Sequence, residues 1–280
     1  MKTTEVGSPR TIRTIFAVVI CSILSSEQLA AQFRSIMIYA NGDVKMLVVD
    51  PSGRRLGYDF RERKYYEEIP GGNIGAAGID IVTKQGGEKD SSQANPIDAL
   101  IPEPPDGDYQ VILYGKHLGF YDLNVIALHP TKPITNISDG GLIALAETAT
   151  FRFMYDFNDQ SRTVISRLVE TSTLRQDLDN SYKLKLLGDK GFHKELSNIL
   201  DSYEKHLSRK DTLKAVKELE KFQNRIAKEY KEGTKSHDKR FVTADALHIL
   251  SYDVKYLIDR LLDKSKHDRG DDEKDKKPKK

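Results

Sequence analysis

Gly107-Asp108-Tyr109-Gln110-Val111-Ile112-Leu113-Tyr114 decides the reading of the N-terminal half. Tyr109, Val111 and Leu113 fall on one side of an extended chain, and Gln110, Ile112 and Tyr114 on the other. That is the two-residue period of a strand with one buried face. Outward from it, Val44 to Asp50 is apolar at nearly every position, and Phe120 to Leu128 alternates Tyr121, Leu123 and Val125 against Asp122 and Asn124. Both read as central strands. Shorter candidates are Ile36 to Tyr39, Ile79 to Thr83 and Ile97 to Ile101, with a longer, broken one from Ile143 to Tyr155. Turn sequences separate them: Asp50-Pro51-Ser52-Gly53, Ile69-Pro70-Gly71-Gly72-Asn73 and Pro102-Glu103-Pro104-Pro105-Asp106-Gly107. About seven strands with no long helical pattern between them predict an antiparallel, jelly-roll-like β-sandwich over residues 32–158.

From Thr163 the period becomes that of a helix. Leu196, Ile199, Leu200, Tyr203 and Leu207 line one face, as do Leu213, Val216, Leu219, Phe222 and Ile226, and then Leu247, Leu250, Val254, Leu257, Ile258 and Leu261. An earlier helix is expected from Thr163 to Leu187, stopped at Gly188, and Thr243 is placed to cap the last helix. The expectation is a small four-helix bundle over residues 163–263. Residues 264–280 alternate acid and base without an apolar anchor and read as a disordered charged tail.

The first residues read as an export signal. Arg10 and Arg13 precede an apolar run from Ile15 to Leu24, and Leu29-Ala30-Ala31 offers a small-residue cleavage site, giving a leader over residues 1–31. The run is about half the roughly twenty residues that cross a bilayer, so no permanent span is expected; a retained anchor is the alternative. Cys21 follows Ile20, where a lipid-attachment signal wants a small residue. The expected location is secreted or periplasmic. With Cys21 the single cysteine, the chain beyond residue 31 holds neither a disulfide nor a thiolate metal site. Its 44 basic and 42 acidic side chains nearly cancel, which argues against a nucleic-acid partner.

Each stretch with a chemical look has a plainer reading beside it. Gly71-Gly72-Asn73-Ile74-Gly75-Ala76-Ala77-Gly78 lacks the order of a dinucleotide loop and the Lys-hydroxyl pair of a P-loop, and reads as an inter-strand loop. Asp50, Ser52 and Asp59 are oxygen donors for a calcium ion, or simply turn makers. His117, His129, His193, His206, His237, His248 and His267 share no ligand spacing, and His248 reads as a partly buried packing residue. Lys205, Arg209, Lys210, Lys214, Lys217, Lys221, Arg225 and Lys228 form either a basic stripe or, with the acids among them, a solvated helix face. Tyr58, Tyr65, Tyr66, Tyr109, Tyr114 and Tyr121 divide between core packing and recognition of sugars or peptides. GxSxG is absent, and no catalytic, cofactor-binding or metal residues are assigned.

The helical half resembles the FIMAH domain, a helical module of exported bacterial proteins. Leu196-Ser197-Asn198-Ile199-Leu200, then Asp211 to Phe222, and Val242 to Ile258 carry the resemblance. The β half is similar to small sandwiches that accompany exported hydrolases, through Val44 to Asp59, Gly107 to Val111 and Gly119 to Leu123. The resemblance implies accessory or binding behaviour outside the cytoplasm. The expectation is therefore an exported, non-catalytic protein without cofactors that binds a protein or polysaccharide of the envelope. A small secreted hydrolase, a hydrolase inhibitor and a structural spacer are the alternatives.

Overall fold

A computed structural model describes residues 34–76, 96–128, 135–159, 164–230 and 240–274. The leader over residues 1–31, the strand expected at Ile79 to Thr83, and His129 and His237 lie outside them.

Two antiparallel sheets face each other. One has the order β5-β6-β1-β8-β9, built from β1 (Ser35–Asn41), β5 (Asn73–Ala76), β6 (Ile97–Pro102), β8 (Gly119–Leu128) and β9 (Thr135–Ile143). The other, β11-β10-β7-β2-β3-β4, contains β2 (Val44–Val49), β3 (Arg55–Asp59), β4 (Lys64–Glu67), β7 (Gly107–Gly115), β10 (Thr148–Tyr155) and β11 (Ile165–Arg167). Tyr109, Val111 and Leu113 of β7 are fully buried, as their alternation requires, and meet Ile36, Ile38, Leu123 and Val125 in one core. Tyr109 stacks on Phe153 with ring centroids 5.1 Å apart, and Tyr121 meets Phe151 edge-on at 5.9 Å, geometries that add to area burial.

Four helices follow: α1 (Thr171–Lys183), α2 (Lys190–Ser208), α3 (Thr212–Glu229) and α4 (Ala244–Lys274). Leu174, Leu178, Leu196, Leu200, Leu219, Phe222, Leu250 and Val254 pack into a second core. Of the expected apolar stripes, Leu207 and Leu213 fall outside it, 37% and 63% exposed near the ends of their helices. Asp189 caps α2 by accepting from Phe192 N at 2.8 Å, and Thr243 caps α4, its hydroxyl accepting from Ala246 N at 3.3 Å.

Three boundaries differ from expectation. The helix predicted from Thr163 begins at Thr171; Ile165–Arg167 instead pair with Phe151–Phe153, so that this stretch completes the second sheet before the bundle starts. That helix also stops earlier than Gly188. Lys185 takes the left-handed conformation (φ 58°), its N–H donates to Tyr182 O and the Leu186 N–H to Ser181 O, a Schellman stop made without glycine. Finally, α4 runs on to Lys274, into the region 264–280 expected to be disordered. The extension continues a helix already nucleated against a core, so each added residue gains a backbone bond without a new nucleation cost.

Candidate functional site

The bundle docks beside the β9 and β11 edges of the sandwich, and the junction is built on Arg167. This arginine closes β11 and is 2% exposed. Its Nη1 donates to Asp177 Oδ2 of α1 at 3.0 Å and to Tyr121 Oη of β8 at 3.3 Å, while Nη2 donates to Asp253 Oδ1 of α4. Its backbone N–H donates to Tyr252 Oη at 3.2 Å, and the Tyr252 ring lies 5.4 Å from the guanidinium carbon.

Two buried acids thus meet one buried base. Burial pushes the carboxyls of Asp253 and Asp177 above the usual range, Asp253 well above it, against the pull of Arg167. Asp253 Oδ2 and Arg167 Nε are buried without a hydrogen-bond partner when both acids are ionised. A proton shared by the two acids would satisfy Asp253 Oδ2 and leave the cluster with one positive and one negative charge. Asn180 adds a second tie, donating from Nδ2 to Glu147 Oε2 in the turn between β9 and β10 at 2.8 Å.

Above this junction lies an open groove of about 800 Å³. One wall is the outer face of the first sheet, where strand register sets two rows of side chains. Asn41, Asp122 and Gly140 form one row; Tyr39, Asn124 and Ser138 form the next. Gly140 leaves the space the Asp122 carboxylate occupies, since a Cβ there would come within 3.0 Å of Asp122 Oδ1 and 2.9 Å of Tyr121 O. Phe120 stands at the end of the same strand, 47% exposed. The other wall is the first two turns of α4, which present Asp245, His248, Ile249 and Tyr252. Asp139 sits on the floor, accepting from Gly140 N at 2.7 Å; burial raises its carboxyl pKa, while Arg167 and His248 pull it down. Past His248 and Tyr252 the groove continues into a more apolar hollow of about 500 Å³ between α3 and α4, lined by Tyr230 and Leu247.

The residues singled out from sequence mostly fall elsewhere. Asp50 Oδ1 accepts from the backbone N–H groups of Ser52 and Arg54, both at 2.9 Å, and its Oδ2 meets Arg54 Nε at 2.7 Å. Asp59 accepts from Arg61 N and Glu62 N. Both carboxylates serve their own turns. Asn73–Ala76 of the glycine-rich stretch is strand β5, and residues 77 and 78 lie outside the described residues. Tyr66, Tyr109, Tyr114 and Tyr121 are buried in the sandwich. Tyr58 and Tyr65 remain on the surface, their centroids 4.9 Å apart, with Lys45 Nζ 3.5 Å from the Tyr58 centroid. Arg225 pairs with Glu195 and Glu229, Lys214 with Asp211 and Lys221 with Glu218, as a solvated face does. His117 pairs with Asp43 and His193 with Asp179. His248 is exposed, not a packing residue, and stands on the groove.

Fold and site together define a β-sandwich locked to a small helical bundle, with a polar groove at the seam. Residues 171–259, from the start of α1 to near the end of the packed part of α4, match the FIMAH domain family. A solved structure similar to this chain is a domain of unknown function, DUF4425, from Bacteroides vulgatus ATCC 8482, at 11% identity and a TM-score of 0.23, covering 45% of this chain and 95% of that one. Comparison with curated proteins gives no match.

Proposed function

We propose that this is an exported, non-catalytic accessory protein that binds a protein or polysaccharide of the cell envelope in the groove between the first sheet and α4. The observation that carries the reading is the groove's construction. Its walls come from both domains, it is open rather than enclosed, and an exposed aromatic ring stands beside hydrogen-bonding side chains. Small-molecule sites bury most of their ligand, whereas an open groove suits a segment of a longer chain. The FIMAH match over residues 171–259 agrees with an accessory role, and the leader-like residues 1–31 support export.

The test is retention of the chain from residue 32 onward on envelope polysaccharides and on a secreted-protein fraction, beside Phe120→Ala and Asn124→Ala variants. Retention lost in both variants, with an unchanged circular dichroism spectrum, is the expected result. Retention unaffected by either variant contradicts the assignment of the groove.

Asp139 favours a second reading, a small hydrolase. Its carboxyl is raised by burial and lies within the electrostatic reach of His248 across the groove, and such perturbed groups concentrate at reactive sites. Ligand cleavage that disappears in Asp139→Asn while binding persists would select this reading over the first.

A further inference from the structure

We propose that the groove's ligand is an amine-bearing glycan, a polymer of amino sugars with free ammonium groups, an inference that rests on the groove being a binding surface. The sheet wall supplies the hydroxyl-reading chemistry. Asn41, Asn124 and Ser138 stand in two registered rows on adjacent strands, and none spends its side chain on a hydrogen bond within the described residues. Strands lie about 4.8 Å apart, so these groups repeat across the sheet like the hydroxyls of a sugar chain laid over it. Amides both donate and accept, as hydroxyl pairs do. Phe120 offers a flat apolar face at one end of the rows, suited to the C–H face of a pyranose ring.

Charge then selects the sugar. Asp122, Asp139 and Asp245 face the groove, and among the described residues its lining contains neither Lys nor Arg, Lys255 standing in the hollow beyond. Among the described residues Asp122 and Asp245 have no ion-pair partner, whereas Asp43, Asp201 and Glu195 pair with Lys116, Arg175 and Arg225. An acidic polysaccharide meets like charge here, and complementary charge both steers encounter and sets specificity. A neutral glycan satisfies the amides and leaves the carboxylates without a counter-charge. An amino glycan satisfies both. A basic peptide would satisfy the carboxylates, but its apolar anchors would seat in the hollow by Tyr230 and Leu247 and leave the amides of the sheet wall unread.

The experiment measures affinity of the chain from residue 32 onward for soluble oligomers of glucosamine, for the same oligomers N-acetylated, for an acidic polysaccharide and for oligolysine, at low and at physiological salt. The glucosamine oligomer is expected to bind at least tenfold more tightly than its acetylated form, with the acidic polymer unbound. Asp122→Asn and Asp245→Asn should each weaken it several-fold and reduce its salt dependence, and Asn124→Ala should weaken it without changing that dependence. Equal affinity for acetylated and free oligomers, or oligolysine binding as tightly as the glucosamine oligomer, overturns the inference. If none of the glycans binds while a secreted protein is retained and released by Phe120→Ala, the glycan assignment fails and the groove's binding role stands.

Discussion

Arg167 and Asp253 lie 86 positions apart in sequence, yet the guanidinium of one donates to the carboxyl of the other in a cluster from which water is excluded. Arg167 ends the last strand of the sandwich and Asp253 lies mid-way along the packed part of α4, so this bond, with Asp177, fixes one domain on the other. The groove exists because of it: the sheet wall and the helix wall belong to different domains.

Removing the arginine strands two acids in a buried site. Loss of one partner from a buried ion pair costs about 3–5 kcal/mol. Arg167→Met is expected to lower the urea midpoint accordingly and to split a single unfolding transition into two, followed by intrinsic tyrosine fluorescence and circular dichroism. A single transition at the original midpoint would show that the cluster does not couple the domains.

The raised carboxyl of Asp253 has a pH signature. Its pKa is raised in the folded state, so the folded protein holds a proton that the unfolded chain has released above about pH 4. The stabilisation from that proton is complete below the unfolded value and is lost as pH rises through the folded one. Asp253→Asn keeps a neutral side chain of the same shape, so the stability of wild type relative to this variant should fall as pH is raised from about 4 towards 8. A difference that stays flat over the range would place the charge on Asp253 throughout.

Gly141 of β9 is fitted to the same cluster. A Cβ there would lie 2.7 Å from Tyr121 Oη and 2.8 Å from Arg167 Nη1, both buried groups with nowhere to move. Gly141→Ala is expected to destabilise by about 1–3 kcal/mol, the usual cost of overpacking. Gly119→Ala, which meets nothing within 4 Å, is the control and should change stability far less.

Two helix stops use lysine where glycine is the usual residue. Lys185 and Lys210 both have φ 58°, each ending a helix with paired backbone bonds to the last turn. Lys185→Gly and Lys210→Gly should relieve this conformation and stabilise by a few tenths to about 1 kcal/mol, read from the thermal midpoint, because the left-handed region carries a penalty for a side chain.

How much of this was legible follows from where the information sits. Tyr109, Val111 and Leu113 announced their strand because burial on one face writes a local period of two, and the stripe from Leu196 to Tyr203 announced a helix in the same way. Strand β9 was missed before Ile143: Thr135-Asn136-Ile137-Ser138-Asp139-Gly140-Gly141 is an edge strand with little apolar alternation, and its two glycines make room for Asp122 and Arg167. Arg167 carried no signal at all, since its partners come from β8, α1 and α4 and no local pattern records such a meeting. The tyrosines, read as divided between core packing and recognition, mostly pack the core. The groove's polar rows became visible only with the register between β1, β8 and β9.

The claim that sandwich and bundle together wall the groove is tested most directly by cross-linking. Asp122→Cys and Asp245→Cys, combined in a chain starting at residue 32 that has no other cysteine, place one thiol on each wall. A short bismaleimide should join them within one molecule in high yield. In the control, Tyr65→Cys replaces Asp122→Cys; Tyr65 lies on β4, at the far end of the second sheet, about 24 Å across from β11 at roughly 4.8 Å per strand, and should give no such product. Absence of the intramolecular product from the Asp122→Cys and Asp245→Cys pair, with each thiol singly labelled, would contradict the account.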